Sequence, residues 1–378
     1  MANKHAILAA SASKRWISCP PSARLCAELP DKASSYALQG TDAHELAAFK
    51  VLHALGENVK DPTENLTFFD QEMDNYTDAY RDFVMEQFME AKKHCNDPVI
   101  LVEQQLDFSK WVPEGFGTGD AVIVADDILH VIDLKYGMGV IVDSYENPQL
   151  MCYGLGALSL FDGIYDIQSV RLSIFQPRRD NISTYEISKE ALLRWAEETL
   201  SPAADLAFKG EGEFHAGDHC QFCKLKATCR KRAEYNLEMA RYDFEMPSQL
   251  SETEISLILP RIDELIAWGN DVREYALKQA ISGKEFPGYK LVAGRSVTRY
   301  TDENAVASAV ISAGYDPYEK KLLGVTAMKS MLGKDQFNTI LGNLTHKPQG
   351  KPTLVPTSDK RPAINTVEID FMEENYNV

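Results

Sequence analysis

The chain has 378 residues, of which 44% are hydrophobic and 25% are charged, a balance typical of soluble globular proteins and not of disordered chains. The sequence lacks the ~18 consecutive apolar residues of a membrane span and the long apolar core of a secretory signal, so we expect a cytoplasmic protein without a membrane partner. Its net charge of −17, from 39 Lys and Arg against 56 Asp and Glu, argues against binding nucleic acid through overall positive charge, because phosphate contacts depend on Lys and Arg.

Two helices are predicted in the first hundred residues. The first begins at Gly40-Thr41-Asp42, because Asp42 and Glu45 have the spacing of a capping box, and it places His44 in its first turn. The second runs from about Gln71 to Cys95, where aromatic and aliphatic residues recur at helical spacing.

The pattern then changes to short apolar runs that predict strands. The predicted strands are Val99–Phe108, Asp120–Ala125, Ile128–Tyr136, Val170–Phe175 and Ser183–Ile187. Asn147-Pro148 predicts a helix start between the third and fourth strands, with Asn as N-cap and Pro at the first helical position. Ser188 opens another helix that ends before Gly210. This order predicts an α/β fold, a mixed sheet flanked by helices.

The last third of the chain is predicted to be mainly helical at first. A helix is expected from about Glu252 to Ile281, with Pro260 as a possible kink. Gly288 to Tyr300 is expected to form a strand pair, a small α/β region follows, and Lys347 to Ile364 is expected to be an extended surface strap. The two expected domains are residues 1–245 and 246–378.

One hairpin carries the most informative polar residues. Asp126-Asp127 lies between two β-runs and predicts a tight turn. With these two residues as the loop, Asp120 and Asp133 face each other across the strand pair, with Cβ atoms about 5 Å apart. Lys135 lies two residues beyond Asp133 and therefore projects from the same face of its strand.

Opposed carboxylates destabilise a hairpin unless a cation lies between them, so this pair predicts a divalent-metal site with an ammonium beside it. The alternative is a set of solvated surface charges, but the strand that carries Asp133 is otherwise largely apolar. Glu103 on the preceding strand is a candidate further carboxylate. Gln149 and Tyr153 are four residues apart and share a helix face.

The cysteines suggest a second metal centre. An odd count of seven in a cytosolic chain argues against a disulfide framework. Three of them form a C-x2-C-x5-C group, Cys220, Cys223 and Cys229. Cys19, in a Pro-bounded turn, is the best candidate for a fourth ligand, and His219 or His215 is the alternative. Four cysteines suit an iron–sulfur cluster or structural zinc, and a Cys₃His set would favour zinc.

With Cys19 as fourth ligand, the metal group would join the N-terminal segment to the end of the predicted catalytic core. The other three cysteines lie in helical, partly apolar contexts and are expected to be core residues. They are Cys26, Cys95 and Cys152.

Taken together, these motifs resemble the RecB-like branch of the PD-(D/E)XK nucleases. The resemblance rests on Gly40-Thr41-Asp42-Ala43-His44, Gly119-Asp120, Asp133-Leu134-Lys135 and Gln149-x3-Tyr153. One cysteine before this core and three after it is similar to the iron–sulfur members, which include the AddB nuclease domain and the CRISPR-associated adaptation exonucleases. The resemblance covers residues 10 to 235.

The resemblance implies a restriction-endonuclease-like core with a 4Fe-4S cluster on the four cysteines and a catalytic Mg²⁺ or Mn²⁺ site. The implied metal ligands are His44, Asp120, Asp133 and the Leu134 carbonyl. Lys135 would be catalytic with the carboxylates, Glu103 included. Gln149 and Tyr153 would position DNA or order the site.

The expected function is metal-dependent DNA exonuclease activity on ends or single strands in phage replication or recombination, within the bacterial host cytoplasm. A phage single-strand-binding or annealing protein is an expected partner. The segments Gly288–Val292 and Gly350–Pro356 resemble a family encoded mainly by bacteriophages and prophages, from which no role carries over. The alternative is a DNA- or partner-binding module on a nuclease fold, with zinc and little catalysis, although the intact Asp–Asp–Lys set argues against it.

Overall fold

A computed structural model describes residues 6–30, 35–238, 251–293, 300–318 and 322–346 of the chain. The chain divides into two compact units, Met1–Ser282 and Gly283–Val378. The domain boundary predicted near residue 245 lies outside the described residues. Among the helices of the described ranges, none is both long and apolar enough to cross a membrane.

The first unit is built on a five-stranded sheet with the strand order β1-β2-β3-β4-β5. The strands are β1 Val99–Asp107, β2 Phe116–Ala125, β3 Ile128–Leu134, β4 Ser169–Gln176 and β5 Asn181–Ser188. Neighbouring strands are antiparallel except β3 and β4, which run parallel. The nearly continuous apolar run of β3 is typical of a strand that is covered on both faces.

Helices cover both faces of this sheet. Those of the first unit are α1 Ser13–Ser18, α2 Ser22–Ala27, α3 Ser35–Ala54, α4 Gln71–His94, α5 Pro148–Phe161, α6 Lys189–Trp195, α7 Ser201–Lys209, α8 Arg230–Glu238 and α9 Glu252–Ile281. A π-helical turn, Ala196–Leu200, joins α6 and α7. The predicted mixed sheet flanked by helices is confirmed.

Alternation along β2 separates two hydrophobic cores. Val122 and Val124 belong to a core with residues of α5, α6 and α7 on one face of the sheet. Ala121 and Ile123 belong to a second core with residues of α3 and α4, including Tyr80, on the other face. Because successive side chains of a strand point to opposite faces, one strand supplies both cores.

The hairpin between β2 and β3 has the predicted register. Ala125 pairs with Ile128, and the pairing continues without a slip to Ala121 and Ile132. Asp126 has a φ of 43°, a left-handed backbone conformation that Asp tolerates in tight turns.

The start of α5 is also confirmed. The side chain of Asn147 accepts hydrogen bonds from the backbone N–H groups of Gln149 and Leu150, which satisfies donors that have no partner within the helix. Gln149 is therefore held in the first turn of α5.

The predicted start of the first long helix at Asp42 is wrong. Helix α3 already begins at Ser35, so Asp42 and His44 lie within it and not in its first turn. The Asp42 carboxylate instead accepts a hydrogen bond of 2.8 Å from the backbone N–H of Phe68. A tertiary contact therefore accounts for a residue whose spacing is typical of a cap.

The described part of the second unit is helical. Its helices are α10 Glu303–Ser312, α11 Val325–Leu332 and α12 Lys334–Leu341. Residues 288–293 and 300 of the expected strand pair are not in strands, and no strand occurs in the described residues of the small α/β region expected here. The rest of that strand pair, the strap at Lys347–Ile364 and the Gly350–Pro356 segment lie outside the described residues.

We predict that His130 makes stability depend on pH. His130 is 5% exposed on β3, and its Nε2 lies 2.8 Å from Ser173 Oγ. Burial, with the nearby positive charge of Arg171, lowers the pKa of His130 to about 3, whereas an unfolded histidine has a pKa of about 6.5. As pH falls below about 6.5, the unfolded chain gains a proton on His130 and the folded chain does not. The free energy of unfolding therefore falls between the unfolded and the folded pKa.

The free energy of unfolding should therefore fall more steeply with decreasing pH in the native protein than in His130→Gln. The difference should approach about 1.4 kcal/mol per pH unit below the unfolded pKa. Urea unfolding of both proteins at pH 7.5 and at pH 5 measures it. Parallel pH profiles would contradict the prediction.

Candidate metal and cysteine sites

Three carboxylates occupy neighbouring positions on β1, β2 and β3. Asp133 follows Ile132, whose partner is Ala121, so the next position across the hairpin is Asp120. On the other side of β2, Glu103 lies opposite Asp120, because the flanking β1 residues pair in register with Gly119 and Ala121. The sheet thus places the three acidic side chains in a row across its strands.

His44 approaches this row from α3. Its Nδ1 lies 3.1 Å from Asp120 Oδ1, and the other carboxylate oxygen of Asp120 accepts a 2.7 Å hydrogen bond from the backbone N–H of Leu134. The carboxylate is therefore fixed from both sides. For Leu134, the sequence suggested a carbonyl ligand, and the structure gives its N–H a role in orienting Asp120.

Lys135, Gln149 and Tyr153 form a polar chain next to Asp133. Lys135 Nζ lies 2.8 Å from Asp133 Oδ2 and donates to Gln149 Oε1 at 3.0 Å. The Gln149 amide in turn donates to Asp133 Oδ1 at 3.2 Å and to the Tyr153 hydroxyl at 3.1 Å. Gln149 thus orients both the carboxylate and the ammonium.

Glu103 has an unusual backbone conformation. Its φ of 50° lies in the left-handed region, which costs of order 1–3 kcal/mol for a residue that is not glycine and which occurs preferentially at functional sites. One ring nitrogen of His44 and one carboxylate oxygen from each of Glu103 and Asp120 lie within 4.8 Å of one another. The strained residue therefore brings its carboxylate to the group that can hold a cation.

The electrostatics differ among the three carboxylates of the row. Burial raises the pKa of Asp133, Lys135 opposes this shift, and the charge of Asp120 adds to it. Burial would likewise raise the pKa of Asp120, but the charge and hydrogen bond of His44 bring it below the usual value. Glu103 is exposed, yet desolvation by surrounding protein atoms and the charge of Asp120 raise its pKa to about 7.

A divalent cation fits this arrangement. Asp133 is 3% exposed, and its Oδ2 lies 2.8 Å from the Lys135 ammonium, which compensates its charge. Buried carboxylate oxygens are normally satisfied. The ligand atoms close enough to share one cation come from His44, Glu103 and Asp120, and Asp133 lies next to them on β3. Carboxylate oxygens are the ligands that Mg²⁺ and Mn²⁺ prefer.

The four predicted cysteine ligands line one cavity. They are Cys19, Cys220, Cys223 and Cys229. Cys19 comes from the turn between α1 and α2, and the others come from the segment after α7, which includes the 3-10 helix Asp218–Phe222. His215 and His219 line the same cavity, and a ring nitrogen of His219 lies 3.0 Å from the backbone oxygen of His215. Both alternative fourth ligands therefore also line the cavity.

The cysteine sulfurs are not gathered as tightly as one zinc ion requires. Zn–S bonds of about 2.3 Å place tetrahedral ligands within about 4 Å of each other. Among the described residues, three or more ligand atoms lie within 4.8 Å of one another only at the row with His44 and at Cys95, Asp97 and Asp126. In the described residues, no three sulfurs of the cavity cysteines therefore lie as close together as the ligands of one zinc ion.

Cys26 was expected to be a core residue. It is indeed buried, at 4% exposure, but its Sγ lies 3.7 Å from Sγ of Cys223. No local pattern indicates this contact, because 197 positions separate the two residues.

Several basic residues near the two sites are engaged in contacts within the protein. Arg171 contacts Glu186 at 3.0 Å, and Arg178 lies over the ring of Tyr136. Near the cysteines, Lys226 and the buried Arg232 contact Asp271 of α9. Their contacts join strands and helices of the first unit.

Gly117 is a site residue that the sequence reasoning missed. A Cβ atom at this position of β2 would lie 2.6 Å from the ring of Tyr153. The absence of a side chain therefore lets Tyr153 lie against the strand and reach Gln149. The Gly-x-Gly spacing of Gly117 and Gly119 was the available signal.

The chain matches the family described as Protein of unknown function (DUF2800) over residues 5–362 and belongs to that family. A solved structure titled "Crystal structure of SSO0001" is similar at 15% sequence identity, and the match covers 50% of this chain and 96% of that chain. Its TM-score of 0.22 supports no conclusion on fold or function.

We predict that Mn²⁺ binding releases protons and tightens as pH rises. Burial lowers the pKa of His44, but the charge and hydrogen bond of Asp120 outweigh it and raise the pKa to about 9. Since a metal ligand must be the neutral imidazole, the cation displaces this proton, and below pH 7 it also competes for the Glu103 proton.

Calorimetric Mn²⁺ titrations between pH 6 and pH 9, in buffers of different ionisation enthalpy, measure both effects. His44→Ala should lose most of the proton release, whereas His53→Ala, on the exposed part of the same helix, should behave as the native protein does. An affinity that is independent of pH would be incompatible with His44 as a ligand.

Proposed function

We propose that this chain is a Mg²⁺- or Mn²⁺-dependent deoxyribonuclease of the PD-(D/E)XK class. The observation that carries the proposal is the alignment of Glu103, Asp120 and Asp133 on three neighbouring strands with Lys135 beside them. A hard cation needs such oxygen ligands, and phosphodiester cleavage needs a cation and an ammonium near the phosphate.

The residues that would hold the ion are His44, Glu103, Asp120 and Asp133, with the Leu134 carbonyl as a further candidate. When bound, Mg²⁺ or Mn²⁺ would supply positive charge to the scissile phosphate and to the attacking water. The protein orients Asp120 through the Leu134 N–H and His44. It orients Asp133 through Gln149.

Lys135 acts on the substrate and not as a ligand, because an ammonium has no lone pair to donate. Its side chain is 26% exposed while it contacts Asp133, which is buried. It therefore reaches from the carboxylates toward solvent, where it can stabilise charge that develops on the phosphate. Gln149 limits the positions that this ammonium can take, and Tyr153 fixes Gln149.

We further propose that Cys19, Cys220, Cys223 and Cys229 hold a 4Fe-4S cluster. Support comes from the cavity that the four cysteines line together and from the chemistry of four thiolates, which suits such a cluster. Such a group joins the N-terminal turn to the segment after α7. Its part in this proposal is structural, because it lies in a cavity whose lining includes none of the carboxylate row.

DNA ends or single strands are the proposed substrate, and exonuclease action in phage replication or recombination is the proposed role. A phage single-strand-binding or annealing protein is the proposed partner, in the bacterial host cytoplasm. These points rest on the resemblance of the motifs. A binding module without catalysis is the competing function, and cleavage assays separate the two.

We predict that Lys135→Ala separates metal binding from chemistry. Mn²⁺ affinity should stay the same or rise, because a nearby positive charge is lost. The rate of cleavage should fall by about 10² or more, the scale of one transition-state contact. Asp133→Asn should instead lose Mn²⁺ binding and cleavage together. Lys189→Ala is the matched control, since Lys189 is 24% exposed and also contacts an aspartate, Asp162.

Calorimetric Mn²⁺ titration and single-turnover cleavage of end-labelled linear DNA, with circular DNA and EDTA as controls, give the readouts. Cleavage of linear but not circular DNA would indicate an exonuclease. Cleavage by Lys135→Ala at the native rate would refute the proposed role of Lys135. If the native protein binds DNA without cleaving it, the binding module is favoured.

We also predict that anaerobically purified protein is brown and that its broad visible absorption bleaches on reduction. Cys19→Ala or Cys220→Ala should lose iron and yield less soluble protein, because loss of a structural metal group is loss of folding energy. Cys95→Ala should keep its iron, since Cys95 does not line the cavity. Stoichiometric zinc without iron in a colourless protein would contradict the cluster.

A further inference from the structure

The contact between Cys26 and Cys223 brings a fifth thiol to the edge of the cysteine site. The two Sγ atoms are 3.7 Å apart. Cys26 is buried and Cys223 is partly exposed. Cys223 lines the cavity with the other three proposed ligands, and Cys26 does not. Cys26 therefore contacts one ligand of the group without taking a place around the cavity.

Tertiary contacts on both sides hold the two sulfurs near each other. Two residues before Cys26, Arg24 Nε donates to the backbone oxygen of Phe208. Lys224, directly after Cys223, donates a hydrogen bond of 2.8 Å from its Nζ to the backbone oxygen of Leu29. The first bond joins α2 to α7, and the second joins the residue after Cys223 to the segment that follows α2, so the approach of the thiols follows from how these segments dock.

We propose that Cys26 and Cys223 form a thiol–disulfide site that a peroxide oxidises when the cavity holds no metal group. The bond would withdraw Cys223 from the ligand set and leave Cys19, Cys220 and Cys229 around the cavity. This consequence for loading rests on the proposed cluster, whereas formation of the disulfide does not.

The chemistry balances with a hydroperoxide as the oxidant. The Cys223 sulfur, which is the more accessible, attacks one peroxide oxygen, and the O–O bond breaks to give a sulfenic acid and, from hydrogen peroxide, water. The Cys26 thiolate then attacks the Cys223 sulfur, which forms the S–S bond and releases the second water. Two thiols lose two protons and two electrons, and hydrogen peroxide becomes two waters.

The required movement is small. A disulfide has an S–S distance of about 2.04 Å, so the sulfurs must approach by about 1.7 Å from their present separation. Rotation of the two side chains about χ1 moves the sulfurs without breaking either flanking bond. The alternative is simple packing of two buried thiols, which predicts no preferred oxidation partner for Cys223.

Peptide mapping of metal-free full-length protein tests the site. After treatment with hydrogen peroxide and alkylation of remaining thiols, we expect one cross-linked pair of peptides, carrying Cys26 and Cys223, and a loss of two titratable thiols. Cys26→Ser should lose this cross-link. Cys95→Ser should keep it, and it is a matched control because Cys95 is also 4% exposed. Full alkylation of both residues, or a cross-link from Cys223 to another cysteine in the native protein, would overturn the proposal.

Anaerobic iron reconstitution distinguishes the redox partner from a ligand. Cys26→Ser should bind as much iron as the native protein, and peroxide-treated native apoprotein should bind iron only after a thiol reductant is added. Loss of iron in Cys26→Ser would make Cys26 a ligand and overturn the proposal. A mapped Cys26–Cys223 disulfide in a protein that never binds iron would support the thiol site and refute the cluster.

Discussion

Carboxylates that lie side by side in a partly buried place repel one another, and this repulsion organises the residues around Asp120 and Asp133. The protein supplies two cations to balance it, His44 from α3 and Lys135 from the end of β3. Polar hydrogen bonds from Leu134 and Gln149 compensate the carboxylate oxygens further. In the proposed nuclease, a bound cation would add further positive charge to this balance.

The same charges bear on how the proposed nuclease, an acidic protein, would act on DNA. A net charge of −17 does not favour broad contact with the phosphate backbone. Arg171, Lys226 and Arg232 offer little help, because they are engaged in ion pairs within the first unit. In the proposed nuclease the attraction would be concentrated at the metal and Lys135. Such a local concentration of positive charge suits the binding of one strand end better than binding along a long duplex.

The cysteine cavity belongs to a second constraint, which joins the beginning of the first unit to its later part. Arg24 of α2 donates to a backbone oxygen of α7, and Lys224 beside Cys223 donates to the backbone oxygen of Leu29, just after α2. Asp271 of α9 then contacts Lys226 and Arg232, two residues that line the cavity. A metal group in the cysteine cavity, or a disulfide beside it, would therefore affect the packing of three segments that are distant in sequence.

Local patterns were sufficient for the central part of the site. Two turn residues and two apolar runs determined the register that opposes Asp120 and Asp133, and Asn147-Pro148 determined where α5 begins and hence where Gln149 lies, because both features depend on neighbours in the chain. The helix start at Asp42 was misplaced, since the contact that Asp42 makes is with Phe68 and not with its own helix. Only the tertiary structure decided that His44 reaches Asp120, that Glu103 adopts a left-handed conformation opposite it, and that Cys26 meets Cys223. Each of these depends on how segments far apart in sequence dock, and the period of a strand or helix carries no information about that docking.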